Sequence, residues 1–296
     1  MERTSRSASD PTPPLRMAIQ KSGRLHDDAV ALLKACSIGL PHYTGRLRTL
    51  ASSFPLEVVF LRDDDIPQYV GDGVADCGIV GENVLLEKNR PVPVEEPLGF
   101  GRCRLSLAIP RGQVYDGTDS LQGRRIATTY PHLLRQFLER HQVQADIHEI
   151  SGSVEIAPGI GLADFICDLV STGSTLLSNG LKEVQTVMDS QAVLVSDPRL
   201  AGPKRELLDK LLFRIRAVNK ARKHKYILLN APSARLQDVL SIIPGMKSPT
   251  VVPLADPQWC SVHSVVQEDH FWDIIEDLQA AGAQGILVVP IEKMIL

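Results

Sequence analysis

Residues 161–176 read Gly161-Leu162-Ala163-Asp164-Phe165-Ile166-Cys167-Asp168-Leu169-Val170-Ser171-Thr172-Gly173-Ser174-Thr175-Leu176. The apolar run Phe165 to Val170 is short and rich in branched and aromatic side chains, the pattern of a buried strand. A glycine among small hydroxyl residues follows and opens a short helix, Ser174 to Asn179, which Gly180 closes. Strand, turn and helix in that order form the building unit of an α/β fold.

The same stretch carries candidate chemistry. A glycine lets the backbone approach a ligand closely. Free N–H groups at the turn, with the hydroxyls of Ser171, Thr172, Ser174 and Thr175, can surround a phosphate without a positive side chain. Asp168 just upstream, and Glu155 in Gly152-Ser153-Val154-Glu155, can accept hydrogen bonds from ribose hydroxyls. The plainer reading is a capped helix after a strand, because Ser, Thr and Asp favour helix starts. The turn is not a P-loop, since no GK[ST] follows, and GxGxxG is absent.

Outward from this unit the rhythm continues. Upstream lie a strand Arg125 to Thr128, a helix Pro131 to Arg140 with proline in its first turn, and a strand Ala145 to Ile150. Downstream, Glu183 to Met188 and Ala192 to Val195 read as strands, and there the chain is expected to cross back to an earlier unit. That earlier unit has strands Leu15 to Ile19, Leu56 to Leu61, Cys77 to Val80 and Leu105 to Ile109, with helices Asp27 to Cys36 and Ile66 to Gly71. The alternation predicts parallel strands with helical crossovers. Two α/β lobes joined by crossing strands, in the manner of a periplasmic binding protein, would leave a ligand cleft between them.

Lys204 to Arg222 places Leu207, Leu208, Leu211, Leu212, Ile215 and Val218 on one helical stripe. Then strands Tyr226 to Leu229, Thr250 to Leu254, Ser261 to Val266 and Ile286 to Pro290 enclose helices Ser233 to Ser241 and His270 to Ala280. The order βαββαβ is that of a ferredoxin-like, ACT-like domain. The expected divisions are a tail 1–14, a first lobe 15–110 completed by about 191–222, a second lobe 111–190, and a third domain 223–296.

Gln20-Lys21-Ser22-Gly23-Arg24-Leu25 follows the first strand, where an open α/β sheet usually binds its ligand. Lys21 and Arg24 suit a polyphosphate, one as a point charge and the other as a planar fork; a solvated basic turn is the alternative. Thr44-Gly45-Arg46-Leu47 adds a cation near a turn. Asp63, Asp64 and Asp65 either meet Mg²⁺ through waters, hold Arg24, or simply begin a helix. Tyr130, at a strand end, either stacks on a purine or packs.

A net charge of −3 gives no support for a nucleic-acid binder. No apolar run approaches the roughly 20 residues needed to cross a bilayer. The five cysteines are scattered without a CxxC pair and read as buried hydrophobes in a reducing, cytoplasmic compartment. The eight histidines lack close ligand spacing, which argues against a protein-held zinc. Met1 to Pro14 reads as a disordered tail without the apolar core of a secretory signal.

Taken together, these segments resemble the long form of ATP phosphoribosyltransferase, from about Leu15 onward. The most specific pieces are Gln20 to Leu25, Asp64-Asp65-Ile66-Pro67, Gly78 to Asn83, Ser151 to Glu155 and Gly161 to Leu176. Pro244-Gly245, Ser248-Pro249-Thr250, Gly282-Ala283 and Ile291-Glu292-Lys293 match in the last domain. The resemblance implies a pentosyltransferase with ATP and phosphoribosyl pyrophosphate (PRPP) in the cleft, a Mg²⁺ requirement, and histidine as feedback inhibitor. It further implies a hexamer built from dimers and no separate regulatory subunit. Carried over, Glu155, Asp168, Ser171, Thr172, Gly173, Ser174 and Thr175 would hold PRPP. Lys21, Gly23, Arg24, Arg46 and Tyr130 would meet ATP, with Lys21 and Arg24 catalytic. Asn230, Thr250, Val265 and Gly285 would take histidine; some relatives have a carboxylate where Asn230 stands. Two other classes compete: an exported two-lobed solute-binding protein, and a ligand sensor without chemistry.

Overall fold

A computed structural model describes residues 13–41, 45–243 and 248–295. Most of the expected tail, Thr44 of the second basic turn, and Pro244-Gly245 lie outside the described residues. The chain divides into two compact units, Met1–Asp209 and Lys210–Leu296.

The first unit holds two sheets. One contains β1 (Leu15–Gln20), β2 (Arg48–Leu50), β3 (Leu56–Leu61), β4 (Cys77–Gly81), β5 (Val94–Pro97) and a returning strand, β11 (Ala192–Ser196), in the order β2-β3-β1-β4-β11-β5. Helices α1 (Arg24–Ala35), α2 (Ile66–Gly71) and α3 (Glu82–Lys88) follow β1, β3 and β4. The other sheet holds β6 (Cys103–Pro110), β7 (Arg125–Thr128), β8 (Asp146–Glu149), β9 (Phe165–Val170) and β10 (Leu181–Ser190), in the order β10-β6-β9-β7-β8. Its helices are α4 (Pro131–Arg140) and α5 (Ser174–Ser178).

β3 buries alternate residues, Leu56, Val58 and Phe60, whereas the central β4 is buried almost throughout. At Gly78 an added Cβ would sit 2.7 Å from Ile66 Cγ2 and 3.3 Å from the Ala18 carbonyl, so only glycine lets α2 lie this close to the sheet. In the second sheet, Leu105, Leu107, Ile126 and Cys167 meet Leu134 and Phe137 of α4 in one core. Ala108, Ile166 and Val170 on the other face meet Val154, Ala163 and Leu176 of α5.

Two expectations are corrected. The sheets are mixed: β3, β1 and β4 are parallel, as are β9, β7 and β8, but β2, β5, β11, β6 and β10 run antiparallel to their neighbours. A chain that leaves a lobe and returns beside its own exit must run in opposite directions, which sets β5 against β11 and β6 against β10. The lobe boundary also moves. The strand around Leu105 to Ile109, expected to close the first lobe at 110, hydrogen-bonds to β9 and β10 and belongs to the second. The crossings lie side by side instead: Leu98 N–H donates to the Ala192 carbonyl and Ala192 N–H to that of Phe100, both at 2.9 Å.

Helix α6 (Gly202–Arg222) leads into the second unit. The compact unit takes in the second half of α6, from Lys210, because the end of the chain closes back on that helix: Met294 N–H donates to the Ala217 carbonyl at 3.0 Å. Its sheet contains β12 (His224–Pro232), β13 (Thr250–Pro253), β14 (Trp259–Gln267) and β15 (Gln284–Pro290), all antiparallel in the order β13-β14-β12-β15. Helices α7 (Leu236–Ile242) and α8 (Glu268–Ala280) cover one face, where Ile227, Leu229, Val262 and Val266 meet Val239, Phe271 and Leu278. This is the expected ferredoxin-like arrangement.

Candidate active site

The turn after β9 is held open at the surface. Phe165, Ile166 and Cys167 anchor the strand, and Leu176 anchors α5. Between them Ser171, Thr172, Ser174 and Thr175 are exposed. Gly173 takes φ 80°, a left-handed conformation that favours glycine and reverses the chain into α5. Thr172 Oγ1 and Ser174 Oγ share a hydrogen bond at 3.1 Å. The N–H groups of Thr172 and Gly173 have no acceptor among the described residues.

Asp168 is half-buried at the end of β9. Burial pushes its carboxyl above the usual range, as does the negative charge of Glu155, while the N–H of Leu169 opposes them. Glu155 stands on a single turn, Val154–Ile156, entered through Ser153 at φ 50°. Two carboxylates that feel each other's charge flank the hydroxyl turn.

The opposing group comes from the first lobe. Gly23, at φ 95°, ends the turn after β1, and Arg24 is the first residue of α1, three positions earlier than the apolar pattern suggests. Arg24 Nη1 donates to Ser171 Oγ at 3.0 Å. The two stretches singled out in the sequence, 147 residues apart, therefore touch. Lys21 is exposed, and its N–H donates to the Leu61 carbonyl at 2.7 Å. The Leu47 carbonyl accepts from Phe60 N–H, which sets exposed Arg46 at the end of β3, on the same sheet edge as Lys21.

Asp63, Asp64 and Asp65 form a turn at the end of β3, and their hydrogen bonds do not include Arg24. Lys88 stands 3.7 Å from Asp64. Burial, then the charge of Asp64, pushes the Asp63 carboxyl up to about 6, and one of its oxygens is buried without a hydrogen-bond partner among the described residues.

Tyr130 lies two residues beyond β7, at the entry to α4, and reaches the first lobe: Asn83 Nδ2 donates to its hydroxyl at 3.2 Å. Asn83 Oδ1 in turn accepts from Ser190 Oγ at 2.9 Å, beside the crossing. The ring lies partly buried against the second lobe's core, and its phenol is pushed up, first by burial and then by Asp168. Glu87 adds a further tie between the lobes. Its carboxylate accepts the N–H groups of His132 and Leu133, each at 2.9 Å, and so caps α4. A cavity of about 340 Å³ at the crossing is lined by Glu82, Arg102, Cys103, Asp189, Ser190 and Gln191, without any residue of the hydroxyl turn.

Glu87, Arg104 and Glu183 carry no signal as site residues in the sequence, and Asn83 stands out only as the end of the stretch Gly78 to Asn83. Arg104 and Glu183 form an ion pair beside the turn, but their positions 79 residues apart leave no local signal. Among the described residues, no group of three or more His, Cys, Asp or Glu could hold a metal ion by itself.

In the second unit the four expected inhibitor positions stand one per strand, on the sheet face opposite the helices. Asn230 adjoins Gly285, where an added Cβ would sit 3.6 Å from Asn230 Nδ2. Thr250 is opposite His263, and Val265 is opposite Tyr226, four residues from Asn230 along β12. At about 3.4 Å per residue that separates Asn230 from Val265 by about 14 Å, so the structure brings together two of the four.

No helix among the described residues is long and apolar enough to cross a membrane. The five cysteines are free, four of them buried.

Known proteins divide the chain near the end of α6. Residues 62–217 match the family model "ATP phosphoribosyltransferase", and residues 221–293 match "HisG, C-terminal domain". The ATP phosphoribosyltransferase of Cytophaga hutchinsonii is 56% identical over 281 residues, covering 95% of this chain and 98% of that protein. That of Parabacteroides distasonis is 54% identical over 282 residues, covering 95% of this chain and all of that one. Among solved structures, the ATP phosphoribosyl transferase (HisG:HisZ) complex from Thermotoga maritima superposes with a TM-score of 0.59 at 29% identity, over 68% of this chain and 96% of that chain. With a family model over more than half its length and relatives above 50% identity end to end, the chain belongs to the ATP phosphoribosyltransferase family.

Proposed function

We propose that this protein joins ATP to PRPP, giving N1-(5-phosphoribosyl)-ATP and pyrophosphate, the first step of histidine biosynthesis. The observation that carries the reading at the level of residues is the hydrogen bond from Arg24 to Ser171. It ties a cationic turn in one lobe to a hydroxyl turn in the other, as a substrate with phosphates at both ends of a ribose requires. In this reading Ser171 to Thr175 grip the 5-phosphate, and Asp168 and Glu155 lie toward the ribose. Lys21, Arg24 and Arg46 meet the polyphosphates, and Gly23 leaves room for the approach of ATP.

Displacement breaks the bond from the anomeric carbon to the pyrophosphate oxygen, and the electron pair leaves with pyrophosphate. An adenine ring nitrogen supplies the new pair. The transition state has oxocarbenium character, so the chain's task is to orient the reactants and to stabilise growing negative charge with Arg24 and Lys21. The attacking nitrogen has no proton to lose first, and a dedicated base is not required.

Tyr130 is assigned to adenine. Its hydroxyl is already engaged by Asn83, which leaves the ring as the contacting part. Two neighbouring carboxylates, Asp168 and Glu155, fit Mg²⁺, which keeps its waters and binds through one or two carboxylates plus substrate phosphates. Asp168 and Glu155 are the residues that would hold it, and it would supply positive charge to the leaving pyrophosphate.

The second unit is the regulatory part of the proposal, with histidine as inhibitor at Asn230, Thr250, Val265 and Gly285. Their spread over about 14 Å exceeds one amino acid. Exposed Val252, Leu287 and Val289 share their face. Both features favour a homo-oligomer, dimer to hexamer, in which a second copy completes the site. With its own C-terminal domain, the chain needs no separate regulatory subunit. Free, buried cysteines fit a reducing cytoplasmic setting.

Mixing ATP and PRPP with the protein should release pyrophosphate, and added histidine should slow that release. A protein that binds either substrate but releases no pyrophosphate would be a sensor or carrier instead.

A further inference from the structure

Behind the hydroxyl turn stands a second arginine. Arg104, on β6, pairs in register with Val170, the last residue of β9 before the turn. Its Nε and Nη2 fork onto the two carboxylate oxygens of Glu183 on β10. Ser106 Oγ donates to the same carboxylate at 2.8 Å. The remaining nitrogen, Nη1, donates to the carbonyl of Ser171 at 3.3 Å. Ser171 is thus held twice: by its hydroxyl from Arg24 in the first lobe, and by its carbonyl from Arg104 in its own lobe.

The second hold has a geometric consequence. A trans peptide is planar, so the carbonyl of one residue and the N–H of the next point in opposite directions. With the Ser171 oxygen drawn toward Arg104, the Thr172 N–H faces the other way. That N–H, like those of Gly173, Thr175 and Leu176 after it, has no acceptor among the described residues. Glu183 and Ser106 keep the guanidinium from rotating away, and the fork geometry makes the anchor stiff. Arg24 reaches Ser171 from the other lobe, whereas Arg104 sits on the adjacent strand of the same sheet. Its hold therefore survives any change in the distance between the lobes.

We propose that Arg104, fixed by Glu183 and Ser106, is a positioning residue that presets the peptide N–H groups of the turn for the sugar phosphate. The proposal rests on the reading of this turn as the PRPP grip.

Arg104→Lys keeps the charge and stem but cannot hold Glu183 and the Ser171 carbonyl together. Calorimetry with PRPP alone should show binding weakened about tenfold, with the KM for ATP within about twofold of the parent and the melting temperature nearly unchanged. Glu183→Gln, the milder second variant, should weaken PRPP by about threefold in the same direction. Gly173→Val, measured alongside, tests the underlying reading. If it binds PRPP as the parent does, the turn is not the grip. If Gly173→Val loses PRPP while Arg104→Lys and Glu183→Gln bind it normally, the grip stands and the positioning role is overturned. An equal rise in KM for ATP and PRPP in both Arg104 and Glu183 variants would also overturn it.

Discussion

The turn after Asp168 and the outer face of the C-terminal sheet are both candidate ligand surfaces, yet they are organised in opposite ways. In the turn, five consecutive residues supply hydroxyls and peptide N–H groups around one glycine, and a buried strand and a buried leucine fix both ends. On the sheet, four positions come one from each strand, and only Asn230 and Gly285 adjoin. The first is set by five consecutive residues between two buried anchors. The second gains its shape only from strand register and, in our proposal, from another copy. A contiguous site should therefore fail sharply on one local change, and a distributed one should respond in graded steps.

The largest effect is expected from Gly173→Val. A β-branched side chain at φ 80° strains the turn by about 1–3 kcal/mol, and kcat/KM for PRPP should fall about a hundredfold with the fold retained. A fall of less than threefold would remove the contrast between the two regions. Arg24→Ala comes next. Its loss takes away the contact with Ser171 and a charge facing the polyphosphates, and turnover should drop at least tenfold. Near-normal steady-state rates would assign Arg24 to a solvated basic turn.

The sharpness of the first region is also why it could be read from the sequence. The bounds of β3, β7, α4 and β9 coincide with their apolar runs and breakers, because period and proline act within a few residues. By contrast, β2 and β5 left no mark. They are edge strands of three and four residues with little buried surface, and their existence depends on the strands beside them. The lobe to which β6 belongs was hidden for a similar reason: a buried strand looks the same whichever sheet it joins. Within the site, the turn and its cations were visible as local motifs. Glu87 capping α4 and Glu183 fixing Arg104 were not, since each partner lies far along the chain.

A graded response on the sheet is tested by Asn230→Asp. Asn230 offers a neutral acceptor, whereas a carboxylate would form a charge-assisted bond with the amino group of histidine. The inhibition constant should fall about tenfold, with kcat unchanged. Unchanged inhibition would place the amino group elsewhere on the face and weaken the assignment of all four positions.

The smallest effect separates the site from its scaffold. Asp63 sits at the end of β3 with one buried oxygen lacking a partner among the described residues, and its carboxyl is raised from 3.8 to about 6, chiefly by burial. Between those values the folded chain binds the proton more tightly than the unfolded chain, so stability falls as pH rises through this window. Above about 6 the buried charge is a standing cost of about 1–3 kcal/mol. Asp63→Asn removes it. The variant should melt a few degrees higher than the parent at pH 7.5, with the difference shrinking below about pH 6 and gone near pH 4. An equal gain at every pH would mean that the charge is not its source. A loss of PRPP or ATP binding in the variant would instead move Asp63 into the site, and the rim of the first lobe would then be less local than the turn it faces.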